Sequence, residues 1–289
     1  MDNVRLTARG KVFENWCEVS ISRSLDEQAS KFQLTAKPGR SAVTDAPFSL
    51  NNGDKVTISI DNDDVLAGYT EVVGSSGSVG AYDFVAAGRS YTADIVDSSP
   101  ITIRRLENQT LEQAAKLLCG EFGVEVVVAE HVAADPTFSV PFAKIKLTAG
   151  DTVFKTLERL ARSRSVLVTD DAKGRLLFTR ASYTAPRMDT TITVGGNVKT
   201  FDVKFDASQL YSIYACKGQR QPVDAADLAD ALEAEASVSD TLLMTRPRRL
   251  FIAPEGGADS ARCVQRARWE AAHRFGQAVQ LGYCVQGWR

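Results

Sequence analysis

Strict alternation of apolar and polar residues, interrupted every few positions by glycine, asparagine or aspartate, runs through the first hundred residues. Val4, Leu6 and Ala8 alternate with Arg5, Thr7 and Arg9. Successive side chains on a strand point to opposite faces, so this period of two marks a half-buried strand. The pattern returns at Val19 and Ile21, at Phe32, Leu34 and Ala36, at Val56, Ile58 and Ile60, and at Tyr82, Phe84 and Ala86. Asn51-Asn52-Gly53-Asp54 and Asp61-Asn62-Asp63-Asp64 are turn signals, and the glycine-serine stretch from Gly74 to Gly80 reads as a hairpin tip. Short strands with no helix between them point to a small antiparallel barrel, a closure that also removes aggregation-prone edges.

From Ser98 the pattern changes. Thr110-Leu111-Glu112-Gln113 is a capping box, in which the Thr110 hydroxyl accepts from the third helical amide while Gln113 reaches back. Leu111, Ala114, Ala115, Leu118 and Phe122 then form one apolar helical face, closed by Gly120 and Gly123. Val124 to Val128 reads as a short buried strand. A second helix opens at Asp151-Thr152 and buries Val153, Phe154, Leu157, Leu160 and Ala161. Val166 to Val168 and Leu176 to Phe178 flank a turn at Asp170 to Gly174. The last hundred residues return to strands: Val198, Phe201, Val203 and Phe205, then Tyr211, Ile213 and Ala215, then Leu250 to Ile252, and finally Val279 to Trp288. A helix-prone acidic stretch, Asp224 to Ala236, interrupts them, and Asp259-Ser260 caps a long helix reaching Phe275.

The expected fold class is therefore mixed β with α+β. Two small antiparallel β-barrel domains, 1–97 and 186–289, enclose an α+β module at 98–185, and the second barrel carries a helical insertion at about 222–277. A length of 289 residues suits two or three such domains. The longest apolar runs fall far short of a membrane-spanning helix, and Met1 to Arg5 leads straight into a strand, so neither a membrane span nor a signal peptide is expected. A net charge of −2 gives no global attraction to a polyanion.

A search for chemistry returns little. The five cysteines, Cys17, Cys119, Cys216, Cys263 and Cys284, show no zinc spacing, and Cys119 and Cys263 fall on apolar helix faces; buried thiols are expected. Asp61, Asp63 and Asp64 lack the glycine and flanking helices of a calcium loop, so a hairpin turn is the better reading. Gly74 to Gly80 misses the nucleophile-elbow register. His131 and His273, the only two histidines, have no nucleophile suggested by local context. Neither a catalytic group nor a metal nor a cofactor is expected. The remaining candidates lie on the last long helix, where Arg262, Arg266, Trp269 and His273 share one face opposite Val264, Ala267, Ala271 and Phe275. That face could bind phosphate or stack on bases, but a solvated or subunit-contacting face is the commoner reason for such a pattern. The same holds for Arg246-Pro247-Arg248-Arg249.

Several segments, in order along nearly the whole chain, resemble the baseplate hub proteins of Mu-like contractile phage tails. They are Val4 to Phe13 with Trp16 and Val19 to Ser24, Ala87-Gly88-Arg89-Ser90-Tyr91-Thr92-Ala93-Asp94-Ile95-Val96-Asp97, Thr110 to Cys119, Asp151 to Leu157 through Phe178-Thr179-Arg180, Ala267-Arg268-Trp269-Glu270, and Gly287-Trp288-Arg289. This family is related to the hubs of T-even phages, the late control D proteins and the spikes of type VI secretion. The resemblance implies a homotrimer in the virion tail baseplate, made in the host cytoplasm, each copy giving two similar barrels. Three copies would then present a pseudo-sixfold ring joining a sixfold tail tube, or a distal tube-initiating protein, to a threefold central spike. Tape-measure and baseplate wedge proteins are further implied partners, and DNA would be met only in passage through the lumen. Family members continue beyond Gly287-Trp288-Arg289 with strands that complete the second barrel. The expectation here is that those strands are missing or come from another chain. Two functions of other classes remain open to test at this point, a tail-associated cell-wall hydrolase and a carbohydrate-binding adhesin.

Overall fold

The computed structural model describes residues 3–25, 27–37, 50–78, 81–102, 105–180, 191–219, 233–239, 244–254 and 260–287. Seven strands fill the first part: β1 (Val4–Ala8), β2 (Lys11–Phe13), β3 (Glu18–Ser22), β4 (Lys31–Ala36), β5 (Lys55–Ile60), β6 (Asp63–Ser78) and β7 (Ala81–Ser90). They form one antiparallel sheet in the order β2-β1-β5-β6-β7-β4-β3. The period-two residues decide which face is wet. Leu6, Ala8, Phe32, Leu34, Ala36, Val56, Ile58 and Ile60 are all buried, while the intervening polar side chains face out. Phe13 of β2 and Phe32 of β4, far apart in the strand order, share one apolar cluster, and Ile21 of β3 packs against it. The sheet therefore wraps around a common core, but the hydrogen-bonded ladder stays open between edge strands β2 and β3 among the described residues. Alternation specifies a one-sided sheet; it carries no information on whether the two edges pair.

Gly68 and Gly88 let β6 and β7 approach closely. A Cβ on Gly68 would overlap the Arg89 carbonyl oxygen, and one on Gly88 the Tyr69 carbonyl oxygen. Between Thr70 and Val72 the register slips, so Glu71 is the extra residue of a bulge and is re-aimed relative to a regular strand.

The next elements are α1 (Ala93–Asp97), β8 (Arg105–Gln109), α2 (Leu111–Gly120), β9 (Val126–Val128), α3 (Glu130–Ala133), β10 (Phe142–Lys146), α4 (Val153–Arg162), β11 (Leu167–Asp170) and β12 (Leu176–Thr179). The capping box forms as the sequence dictates: the Gln113 amide donates to Thr110 Oγ1 at 3.2 Å and the Thr110 amide to Gln113 Oε1 at 2.9 Å. Gly123 adopts φ 68, and Val124 N–H returns to the Cys119 carbonyl, which ends α2. Both helices bury the anticipated faces, with Leu111, Ala114, Leu118, Val153, Leu157 and Phe178 in one cluster. The strands are arranged as two small sheets, β10-β8 and β11-β12-β9, the last pair parallel. Asp170 does not turn the hairpin. It closes β11, and its buried carboxylate accepts from the Ser30 amide at 2.9 Å and the Ser30 hydroxyl at 2.8 Å. The seven-stranded sheet and this α/β region belong to one compact unit of the chain, and a second unit holds the last hundred residues together with Arg162–Ser165.

In the second unit the elements are β13 (Val198–Phe205), a 3-10 turn (Ala207–Gln209), β14 (Ile213–Gln219), β15 (Glu233–Ser239), β16 (Arg249–Ile252), α5 (Ser260–Ala278) and β17 (Val279–Val285). The strands form two separate sheets, an antiparallel β13-β17 ribbon and β15-β14-β16, where a single barrel was expected. The helix expected over the acidic stretch Asp224 to Ala236 is also corrected. Its residues 224–232 lie outside the described residues, but Glu233 to Ala236 is strand, with Ala234 opposite Gly218 and Ala236 opposite Cys216. Glu-Ala-Glu-Ala-Ser-Val-Ser is rich in good helix formers, yet it alternates with period two, and pairing with β14 overrides the weak helical preference. A second correction concerns β14, where Tyr214 and Cys216 point inward, and not Ile213 and Ala215. A shift of one residue exchanges the two faces of a strand, and a run with apolar residues on both faces leaves the choice to its surroundings.

Candidate assembly surfaces

Helix α5 packs through Cys263 and Ala267, both fully buried, with Ala271 partly buried against the same cluster as Tyr214 and Ile252. Phe275, expected on this face, is 42% exposed. On the other flank the structure assembles three of the four expected residues. The Arg266 guanidinium lies 4.9 Å from the Trp269 ring centroid, and Trp269 stacks on His273 at 5.0 Å with an interplanar angle of 8°. Spacings of three and four residues on a helix bring such side chains into contact. Arg262 sits exposed one turn earlier on α5.

Sequence reading missed the group that organises the ladder. Glu270 accepts from Arg266 Nη1 at 2.8 Å and from Arg274 Nε at 2.7 Å. Burial pushes the Glu270 carboxyl up, but hydrogen bonds and charge from Arg266 and Arg274 outweigh it and hold the group below the usual glutamate range. Arg274 in turn lies 5.2 Å from the Tyr211 ring, and Arg248 approaches the same ring at 4.9 Å. Arg248 also donates to the Ser208 carbonyl at 2.8 Å. The spacing Arg266, Glu270, Arg274 was visible as two i,i+4 pairs; the enclosure of Tyr211 between arginines from α5 and from the lead into β16 was not. Such a surface is amphipathic, and it presents ring faces and cations.

A second polar cluster lies on the first unit. Arg89 donates to both oxygens of Glu71, at 2.9 Å from Nε, and also to Asp97 at the end of α1. The hydrogen bonds it donates to Glu71 and Asp97 keep the guanidinium protonated beyond the usual arginine range. Burial raises Asp94 above the ordinary aspartate range, with Glu71 adding to the shift and Arg89 opposing it. Glu71, Arg89 and Asp94 border an open cleft of about 490 Å³ together with Tyr69. His131 donates from Nε2 to the Arg180 carbonyl, 2.9 Å away, which orients its ring. Among the described residues no three His, Cys, Asp or Glu side chains converge as metal ligands, and no helix is long and apolar enough to cross a membrane. The five cysteines form no disulfide; Cys119, Cys216 and Cys263 are buried, whereas Cys17 and Cys284 are exposed, against the expectation of buried thiols.

Comparison with known proteins bears on what these surfaces are for. Residues 3–90 match the family model "Mu phage baseplate assembly protein GpP-like, N-terminal". Residues 92–180 match "Baseplate hub protein gp44-like, second domain". The baseplate hub protein gp44 of Escherichia phage Mu is 29% identical over 99% of this chain and 74% of its own length. The crystal structure of the 43 kDa tail protein of prophage MuSo2 from Shewanella oneidensis superposes with a TM-score of 0.81 at 30% identity, covering 100% of this chain and 84% of that one. The chain belongs to the Mu-type baseplate hub protein family. A tail protein from Neisseria meningitidis MC58 shares the fold, with a TM-score of 0.75 at 19% identity over 98% of this chain and 79% of its own. Members of this family are structural tail proteins, and this chain is a structural component of a phage baseplate and not an enzyme. As a hub protein it is part of the virion tail and meets other tail and baseplate proteins there.

Proposed function

We propose that the chain is the homotrimeric hub that joins a sixfold tail tube to a threefold central spike. The observation that carries this reading is the continuous match to the Mu hub protein over 99% of the chain, with the two matched domain models in the order the architecture requires. Three copies, each with two tube-like domains, resolve the mismatch by presenting six similar units to the tube and three identical faces to the spike. The contacts are then heterologous and close by rotation. In this reading the domains are 1–97, 98–185 and 186–289. The first barrel is the seven-stranded sheet wrapped on its single core, and the second is built on the β13-β17 and β15-β14-β16 sheets. The face bearing Arg262, Arg266, Trp269 and His273 serves as a subunit contact, a role suited to a preorganised aromatic–arginine surface. The tape-measure and wedge proteins are neighbours in the assembled tail, DNA is met only in the lumen, and synthesis takes place in the host cytoplasm.

The test is the mass of the particle in solution. Light scattering or mass photometry on the purified chain, alone and with its spike protein, is expected to return a trimer in at least the second sample. Monomer in both overturns the proposal.

A further inference from the structure

Helix α5 meets the β15-β14-β16 sheet through small side chains. Cys263 and Ala267 are fully buried there and Ala271 is partly buried, and the strand residues in the same cluster are Tyr214 and Cys216 of β14 with Ile252 of β16. Contacts outside this cluster fix the direction of packing. Arg274 reaches the Tyr211 ring, Ala278 shares an apolar cluster with Leu210, and the Asp206 amide donates to the Ala278 carbonyl at 2.8 Å. The C-terminal end of α5 therefore lies at the start of β14, and the helix runs along the strand in the opposite sense.

That direction pairs the buried residues. The helical step from Ala267 back to Cys263 advances about 6 Å along the axis. The strand step from Tyr214 to the next inward residue, Cys216, advances about 7 Å. The two repeats match, so Ala267 stands over Tyr214 and Cys263 over Cys216. Alanine at 267 and 271 leaves no bulk on this face to hold the helix away from the strand. A disulfide spans a Cα separation of about 4.4–6.8 Å, which a contact through side chains this small brings within reach. Both thiols are unbridged in this structure.

We propose that Cys216 and Cys263 are the two halves of a latent disulfide, open in a reducing cytosol and closed when the tail particle meets an oxidising exterior. Cys263 lies in the first turn of α5, and helix ends open more readily than helix centres. Its thiolate attacks one sulfur of a small disulfide such as oxidised glutathione and expels one glutathione thiolate. The Cys216 thiolate then attacks the Cys263 sulfur of the mixed disulfide and expels the second. The protein gives up two electrons and two protons, and the small disulfide is reduced to two thiols. The new bond closes a loop of roughly 50 residues, long enough to restrict the unfolded chain strongly. It also fixes to the sheet the helix that carries Arg266, Trp269 and His273. The proposal is independent of the trimer reading and holds for a single copy.

The experiment uses the full chain, purified under reductant, with the exposed Cys17 and Cys284 first blocked by a maleimide in the folded state. The folded protein is treated with oxidised glutathione in buffer, and in parallel in urea below its unfolding transition. Alkylation in strong denaturant and non-reducing peptide mapping then identify the bonded cysteines. The expected product is a peptide pair joining Cys216 to Cys263, with Cys119 alkylated. Its thermal midpoint should rise by roughly 10 °C or more and return to the starting value with dithiothreitol. Cys263→Ala should abolish both the pair and the shift; Cys216→Ala serves in its place where that variant fails to fold, and the wild-type readouts decide the matter where both fail. Cys216 and Cys263 alkylated in full after both treatments overturns the proposal. So does a bond between them that leaves the midpoint unchanged or lowers it.

Discussion

Asp170 offers the sharpest stability test, because one buried carboxylate fastens the β11-β12 hairpin to the strand lead-in at Ser30. The carboxylate accepts from the Ser30 amide at 2.9 Å and the Ser30 hydroxyl at 2.8 Å, with both residues only 3% exposed. Hydrogen bonds to a charged group contribute about 1.5–3 kcal/mol each, and an orphaned buried donor costs about 1–3 kcal/mol. Asp170→Ala removes both bonds and strands the Ser30 amide, so a loss of about 3–5 kcal/mol is expected. Ser30→Ala removes one bond and keeps the amide contact; its expected cost is about 1–2 kcal/mol. For a unit of this size the alanine variant at Asp170 corresponds to a drop of roughly 6–20 °C in Tm. Urea denaturation followed by circular dichroism measures both single variants and the double variant, and the cycle isolates the coupling. A loss below about 0.5 kcal/mol for Asp170→Ala, or a coupling energy near zero, refutes the reasoning.

Three further outcomes are expected. Glu270→Gln should cost about 1–2 kcal/mol at neutral pH, since it uncharges the partner shared by Arg266 and Arg274. Because the folded-state group titrates below its unfolded value, that contribution is fully present above the unfolded pKa and disappears as pH falls through the folded one; a wild-type advantage that persists in strong acid contradicts the assignment. Gly88→Ala should destabilise by about 3 kcal/mol, the added Cβ colliding with the Tyr69 carbonyl oxygen, whereas Gly74→Ala on the same hairpin should be tolerated because no atom lies near its Cβ position; equal thermal stability of the two variants refutes the close-approach argument. In the native monomer Cys17 and Cys284 should react with a maleimide while Cys119, Cys216 and Cys263 react only after unfolding, with burial pushing the Cys119 thiol up to about 12; mass spectrometry counting more than two labels contradicts the burial pattern.

The relation of sequence to structure differs between the two units for a physical reason. In β1, β4 and β5 the alternation of Leu6, Phe32, Leu34 and Val56 with polar neighbours fixed the inward face, because only one face of those strands could leave water. The α2 boundaries were equally legible, since Thr110, Gln113 and Gly123 satisfy the helix ends through local bonds. The order of family motifs likewise lay in the chain itself. What the sequence could not decide was anything resting on contacts between distant segments. Glu233 to Ser239 has the composition of a helix and becomes a strand because β14 is there to pair with it. Tyr214 and Cys216 turn inward because α5 covers that side. The Arg266, Trp269 and His273 face was read from helical spacing, yet Tyr211, which Arg274 approaches, and Arg248, which approaches the same ring, come from segments outside the helix. Local pattern determines which element can form and which side of it prefers to be dry. Tertiary structure alone determines which neighbour makes it dry, as α5 does for Tyr214 and Cys216.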